Sequence, residues 1–138
     1  MSRWRSKYQA ALFGMDALLS IGFGAVSWLS PVSTYGTIVD LSDLGAASRV
    51  TWATLSGLSV FYVVMGLVCL CATLMPAPHS SRLAFVMLAR HAWVGVQGYR
   101  DIGQEWIVGN PWPDIVIHAA FVLSYSVLIG VVWRRASR

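Results

Sequence analysis

Residues 83–106 read LAFVMLARHAWVGVQGYRDIGQEW, and the organisation of the whole chain follows from how that stretch is taken. As a helix rising about 1.5 Å per residue it is long enough to cross a hydrocarbon layer of about 30 Å. It nevertheless carries Arg90, His91, Gln97, Arg100 and Asp101. An ionisable group at membrane depth costs roughly 2.5–3.5 kcal/mol on the insertion scale unless it faces protein, water or a partner. Other helices must therefore cover this one.

The flanking sequence supplies them. Of 138 residues, 57% are hydrophobic and 12% charged, with a mean hydropathy of +0.62, against about 25% charged in soluble domains. A single domain, residues 1–138, is expected: an all-α, integral-membrane four-helix bundle with spans at about 10–29, 51–75, 83–105 and 114–133. Pro31, Pro76 and Pro78, and the turn Gly109-Asn110-Pro111-Trp112-Pro113, separate the spans, because proline cannot continue a helical hydrogen-bond ladder and restricts the residue before it. Leu41 to Ala47 reads as a short interfacial helix capped by Ser42, and Ser80 or Ser81 as the cap of the third span.

Charge sets the expected orientation. Arg3, Arg5 and Lys7 precede the first span, Arg82 lies between the second and third, and Arg134, Arg135 and Arg138 follow the fourth. The first loop has only Arg49 and the third has no basic residue, while Asp40, Asp43, Glu105 and Asp114 lie on that opposite side. Both termini are expected to be cytoplasmic. The net charge of +4 is thus a topology signal rather than a nucleic-acid footprint, since no basic stripe is interleaved with aromatics. Asp16 in the first apolar run, with no Ala-x-Ala-like site after it, argues against a cleaved signal peptide. Cys69 and Cys71, two apart on a helix, point in different directions and read as buried thiols rather than a disulfide.

Depth counting brings certain polar groups together. Asp16 and Arg90 both fall about 10 Å inside the inner boundary, so they are expected to pair, either to fix helix packing or to line a proton path or head-group site. Arg90, Gln97, Asp101 and Gln104 share a helical face, with Trp93 and Arg100 beside it, and that face is expected to look inward. Close packing is expected along Asp16, Ser20, Gly24 and Ser27, along Ala53, Ser56, Gly57 and Ser59, and at Ser126 and Gly130. Near the outer surface His118 is expected to meet Arg100 and Asp101, with Asp114, Glu105 and Tyr99 as further neighbours, an environment suited to acid–base work. His91 with Gly95 and Gly98 forms either a pocket wall or a seat for a neighbouring helix. His79, His91 and His118 fall at different depths or on a loop, and no metal or cofactor motif is present.

Gly14-x-Asp16, Gly22-x-Gly24, Ser27-Trp28-Leu29-Ser30-Pro31, Arg49, Gly57 and an arginine-bearing third span together resemble, in outline, the small DoxX-like bacterial membrane proteins. The resemblance implies four helices in the bilayer and, for some members, a link to quinone or redox complexes. It transfers no catalytic residue, and Asp16, His91 and Trp112-Pro113 have no counterpart in it.

Three functions are consistent with these features. The first is binding of a hydrophobic small molecule, or service as an accessory subunit of a larger membrane complex. The second is a membrane enzyme, an isomerase, cyclase or epoxide-opening catalyst, with Asp16 or His118 as acid or base and Arg90, His91, Gln97, Arg100 and Asp101 as binding groups. The third is a proton-coupled small transporter built on Asp16. The expected partners are the bilayer, such a molecule or complex, and a second copy of the chain; nucleic acid, cofactor and metal are not expected.

Overall fold

The computed structural model describes residues 3–37, 40–41, 48–105 and 107–136. These form four long helices and one short one: α1 (Arg3–Leu29), α2 (Pro31–Tyr35), α3 (Ser48–Leu74), α4 (Ala77–Asp101) and α5 (Trp112–Ala136). Three segments, Ser6–Leu29, Ala53–Leu74 and Trp112–Val131, are long and apolar enough to cross a membrane. The stretch expected as an interfacial helix, together with its cap Ser42, lies almost wholly outside the described residues.

Helix boundaries differ from the expected ones where proline and glycine act locally. α4 starts at Ala77 instead of 83, with Pro76 at its N-cap and Pro78 in its first turn. First-turn N–H groups have no intrahelical acceptor, so a proline there costs nothing and its fixed φ favours the start. Ser80 and Ser81 therefore lie within α4 rather than capping it. α4 also stops four residues early, at Asp101, because Gly103 adopts a left-handed φ of 80°. Pro31 likewise opens α2 after closing α1, and Tyr35 folds back so that its hydroxyl lies 3.3 Å from Ser59 Oγ.

The long helices pack as two antiparallel pairs, α1 on α3 and α4 on α5. The first pair is close because two glycines let the backbones nearly touch. A Cβ on Gly24 would lie 2.7 Å from Ser59 O and 2.9 Å from Val63 N, and one on Gly66 would lie 2.9 Å from Ile21 N. Gly57 and Gly130, expected in tight interfaces, have no such neighbour, and Ala53 and Ser126 are exposed. The face of α3 that meets α1 is instead the one bearing Ser59, Val63 and Gly66.

Between the pairs, a core of Leu12, Phe13, Ala72, Ala84, Met87, Tyr125 and Leu128 fills the end near the start of α1 and the finish of α5. The burial pattern departs from that of a water-soluble protein. Asp16, Ser27, Ser59, Ser80 and His91 are buried, whereas Leu18, Leu29, Leu74 and Leu123 are among the most exposed side chains. A surface of that kind suits lipid, while polar groups find partners inside.

Candidate functional site

The polar side chains converge where the two helix pairs meet. Asp16, 1% exposed on α1, accepts hydrogen bonds on both carboxylate oxygens. Arg90 Nη1 donates to Oδ1 at 3.2 Å and Ser20 Oγ at 3.1 Å. His91 Nε2 lies 2.9 Å and Tyr125 OH 2.8 Å from Oδ2. The helical repeat explains the convergence: Asp16 and Ser20 are one turn apart on α1, Arg90 and His91 adjoin on α4, and His118, Phe121 and Tyr125 follow one face of α5.

A second imidazole continues the network. His91 Nδ1 lies 2.7 Å from His118 Nδ1, and His118 Nε2 lies 3.4 Å from Asp114 Oδ1, whose side chain is 57% exposed. Donor counting constrains the tautomers. A carboxylate only accepts, so Nε2 of His91 carries a proton, and in neutral His91 the Nδ1 then accepts from Nδ1–H of His118. His118 Nε2 is then left with a lone pair facing the Asp114 carboxylate, and one further proton in that gap completes the chain. His91 is held in place by stacking on Phe121, with ring centroids 4.5 Å apart and an interplanar angle of 10°.

Beside this chain is a partly open cavity of about 170 Å³. Its polar wall is Asp16, Ser20, Arg90, His91, His118 and Asp114, and its apolar wall includes Leu19, Phe23, Tyr62, Ile117 and Phe121. Arg90, with a side chain 8% exposed, bonds Asp16 and Ser20 and lies over the Tyr62 ring at 5.3 Å. Its buried Nε has no hydrogen-bond partner among the described residues. A buried N–H without an acceptor costs about 1–3 kcal/mol.

Other expected site residues lie elsewhere. Gln97 is half-buried, Asp101 is half-buried at the end of α4, and Arg100 is exposed; none of the three lines the cavity. Trp93 is 65% exposed and Gln104 lies beyond the helix. The inward face of α4 is therefore Ser80, Ala84, Met87 and His91 rather than Arg90, Gln97, Asp101 and Gln104. Arg90 sits at the edge of that face and reaches inward through its long side chain. His118 meets His91 and Asp114, not Arg100 or Asp101, and Tyr99 and Glu105 are exposed. The two histidines expected at different depths meet because the register sets Gly95 against His118 and Gly98 against Ile115. His91 is then one turn from His118, within reach of two imidazoles.

Tyr125 and Tyr62 were not singled out by the sequence. Tyr125 stands seven residues after His118, two turns along the same face, and that spacing was the available signal. Cys71 is exposed, whereas Cys69 is buried in the core. Among the described residues no group of three His, Cys, Asp or Glu side chains is arranged to hold a metal ion. No family model, curated protein or solved structure matches the chain.

Proposed function

We propose that all four long helices cross a bilayer, with both termini cytoplasmic, and that the cavity between the helix pairs binds an apolar small molecule bearing an acceptor oxygen. Three helices qualify as spans by themselves. α4 joins them because the ionisable groups at its middle are covered: Arg90 and His91 turn toward α1 and α5, while Phe85, Val86, Trp93 and Val96 face outward; Arg82 and Arg100 lie near its ends. Asp16 and Arg90 then form an intramembrane ion pair, the affordable state for two charges at that depth. The basic residues of the termini and Arg82, at the end of the molecule filled by the core, support a cytoplasmic position for that end.

The observation that carries the binding reading is the cavity itself: aromatic and aliphatic on one wall, and on the other the Arg90 guanidinium side chain among Asp16, Ser20 and the two histidines. Such a pocket suits a ligand whose body is apolar and whose orientation is fixed by one oxygen. Its tail can leave through the open side into lipid.

The test uses purified protein in nanodiscs and two probes, a long-chain methyl ketone and the alkane of equal length. The ketone is expected to raise the unfolding temperature, corresponding to about 2.7 kcal/mol at a hundred times its Kd, and the alkane to do far less. Ile117→Trp, at a half-exposed cavity position, is expected to fill the space and abolish the difference. Equal stabilisation by ketone and alkane in both proteins refutes the reading.

A further inference from the structure

The hydrogen-bond chain ending at His118 has a direction. Asp16 has acceptor capacity for about four donors and already meets Arg90, Ser20, His91 and Tyr125. No lone pair remains to take a proton from a ligand. The carboxylate instead holds the proton on His91 Nε2; in neutral His91 the Nδ1 then accepts from His118, and Nε2 of a neutral His118 keeps its lone pair beside the cavity. An aspartate orienting an imidazole is the arrangement by which a general base is held in one tautomer, and here a second imidazole extends it.

We propose that His118 is a catalytic base and acid in this cavity, shifting a proton on the carbon adjacent to a carbonyl whose oxygen Arg90 binds, with Asp16 and His91 as positioning residues. The substrate class is an enolisable, lipid-soluble carbonyl compound, and this assignment rests on the binding reading above. His118 Nε2 takes the proton from the carbon adjacent to the carbonyl. The C–H electron pair becomes the carbon–carbon double bond of the enolate, and the carbonyl pair moves to oxygen, where the Arg90 guanidinium holds the charge. Return of the proton to a different carbon of a conjugated enolate gives an isomer, and return to the same carbon gives back the substrate. Nothing is oxidised or reduced, and no co-reactant is consumed.

The surroundings suit the charge that appears on His118. Its imidazolium would lie between His91 Nδ1 at 2.7 Å and Asp114 Oδ1 at 3.4 Å, with the Asp16 carboxylate one ring behind. The opposing charge is Arg90, whose positive end is already paired with Asp16, and Tyr62 is the group contributed by α3. Asp114, half in the open, gives His118 an exchange route to water.

The experiment follows deuterium uptake. Protein in nanodiscs is equilibrated with the long-chain methyl ketone in deuterated buffer, and label entering next to the carbonyl is read by mass spectrometry, while binding is read separately by thermal shift. Wild-type protein is expected to catalyse exchange, and His118→Leu to lose about 10²–10⁴-fold of it while still binding the ketone. Should that variant fail to fold, His118→Gln, which keeps hydrogen bonds but no titratable ring, carries the same comparison. His91→Leu is expected to lose exchange without losing binding. His91→Gln is expected to restore most of it, because the amide can accept from His118 and donate to Asp16. Ketone binding without exchange in wild type, or undiminished exchange in the His118 variants, overturns the proposal and leaves the binding reading intact. Absence of ketone binding overturns both.

Discussion

Removing the carboxylate of Asp16 is the most informative perturbation of this fold. Its four donors come from three helices, so the loss is felt across the seam between the pairs. Two estimates bracket the effect. Side-chain hydrogen bonds inside membranes average about 0.6 kcal/mol, so four give roughly 2.5 kcal/mol. Breaking a buried ion pair from one side costs about 3–5 kcal/mol, since the remaining charge is left unpaired. The second effect governs here, because among the described residues Arg90 has only Ser20 and the Tyr62 ring as its other polar contacts. We expect Asp16→Ala to destabilise by about 3–5 kcal/mol and Arg90→Leu by a comparable amount. The double variant should be markedly more stable than the two losses added, since it leaves neither charge alone. Reversible unfolding in mixed micelles, read as a double-mutant cycle, measures the coupling directly. Single losses below about 1 kcal/mol, or strictly additive losses, would show that the pair does not hold the seam and would refute the reasoning.

Three further outcomes are open to measurement. Gly24→Ala and Gly66→Ala each put a methyl group against backbone atoms of the partner helix and are expected to cost about 1–3 kcal/mol, whereas Gly22→Ala and Gly57→Ala, which meet nothing within 4 Å, should be neutral or mildly stabilising; the same unfolding assay separates them. Tyr125→Phe removes one donor to Asp16 and should cost about 0.5–1.5 kcal/mol, while keeping the edge-on contact with Phe13. A membrane-permeant maleimide should label the exposed Cys71 and spare the buried Cys69 in folded protein, and mass spectrometry of the native and unfolded forms checks both.

Composition and punctuation made the helices readable, because long apolar runs between prolines leave few alternatives. The boundaries of α4 were less legible: the same prolines that end one helix are tolerated in the first turn of the next. The inward face of α4 was misread for a related reason. Polarity marked Gln97, Asp101 and Gln104 as interior, but the helix ends before Gln104 and its register turns Ala84, Met87 and His91 inward instead. Depth counting from approximate boundaries set Asp16 level with Arg90 yet kept His91 away from His118, since an error of a single helical turn takes one imidazole out of reach of the other. The glycine contacts divided in the same way. Gly24 and Gly66 are buried at a crossing and Gly57 is open, a distinction that depends on crossing geometry and not on the residue type.

The pairing of α1 with α3 and of α4 with α5 also orders events during biogenesis. Arg90 is separated from Asp16 by 74 positions, which at a synthesis rate of about 5–20 residues per second delays its arrival by roughly 4–15 s. On the four-span topology proposed above, the amino-terminal hairpin spends that interval with Asp16 lacking its Arg90 partner, and the glycine contacts of α1 and α3 hold it together. Docking of the carboxy-terminal hairpin, which brings Arg90, His91 and Tyr125 to Asp16, is then the step that completes the buried polar cluster.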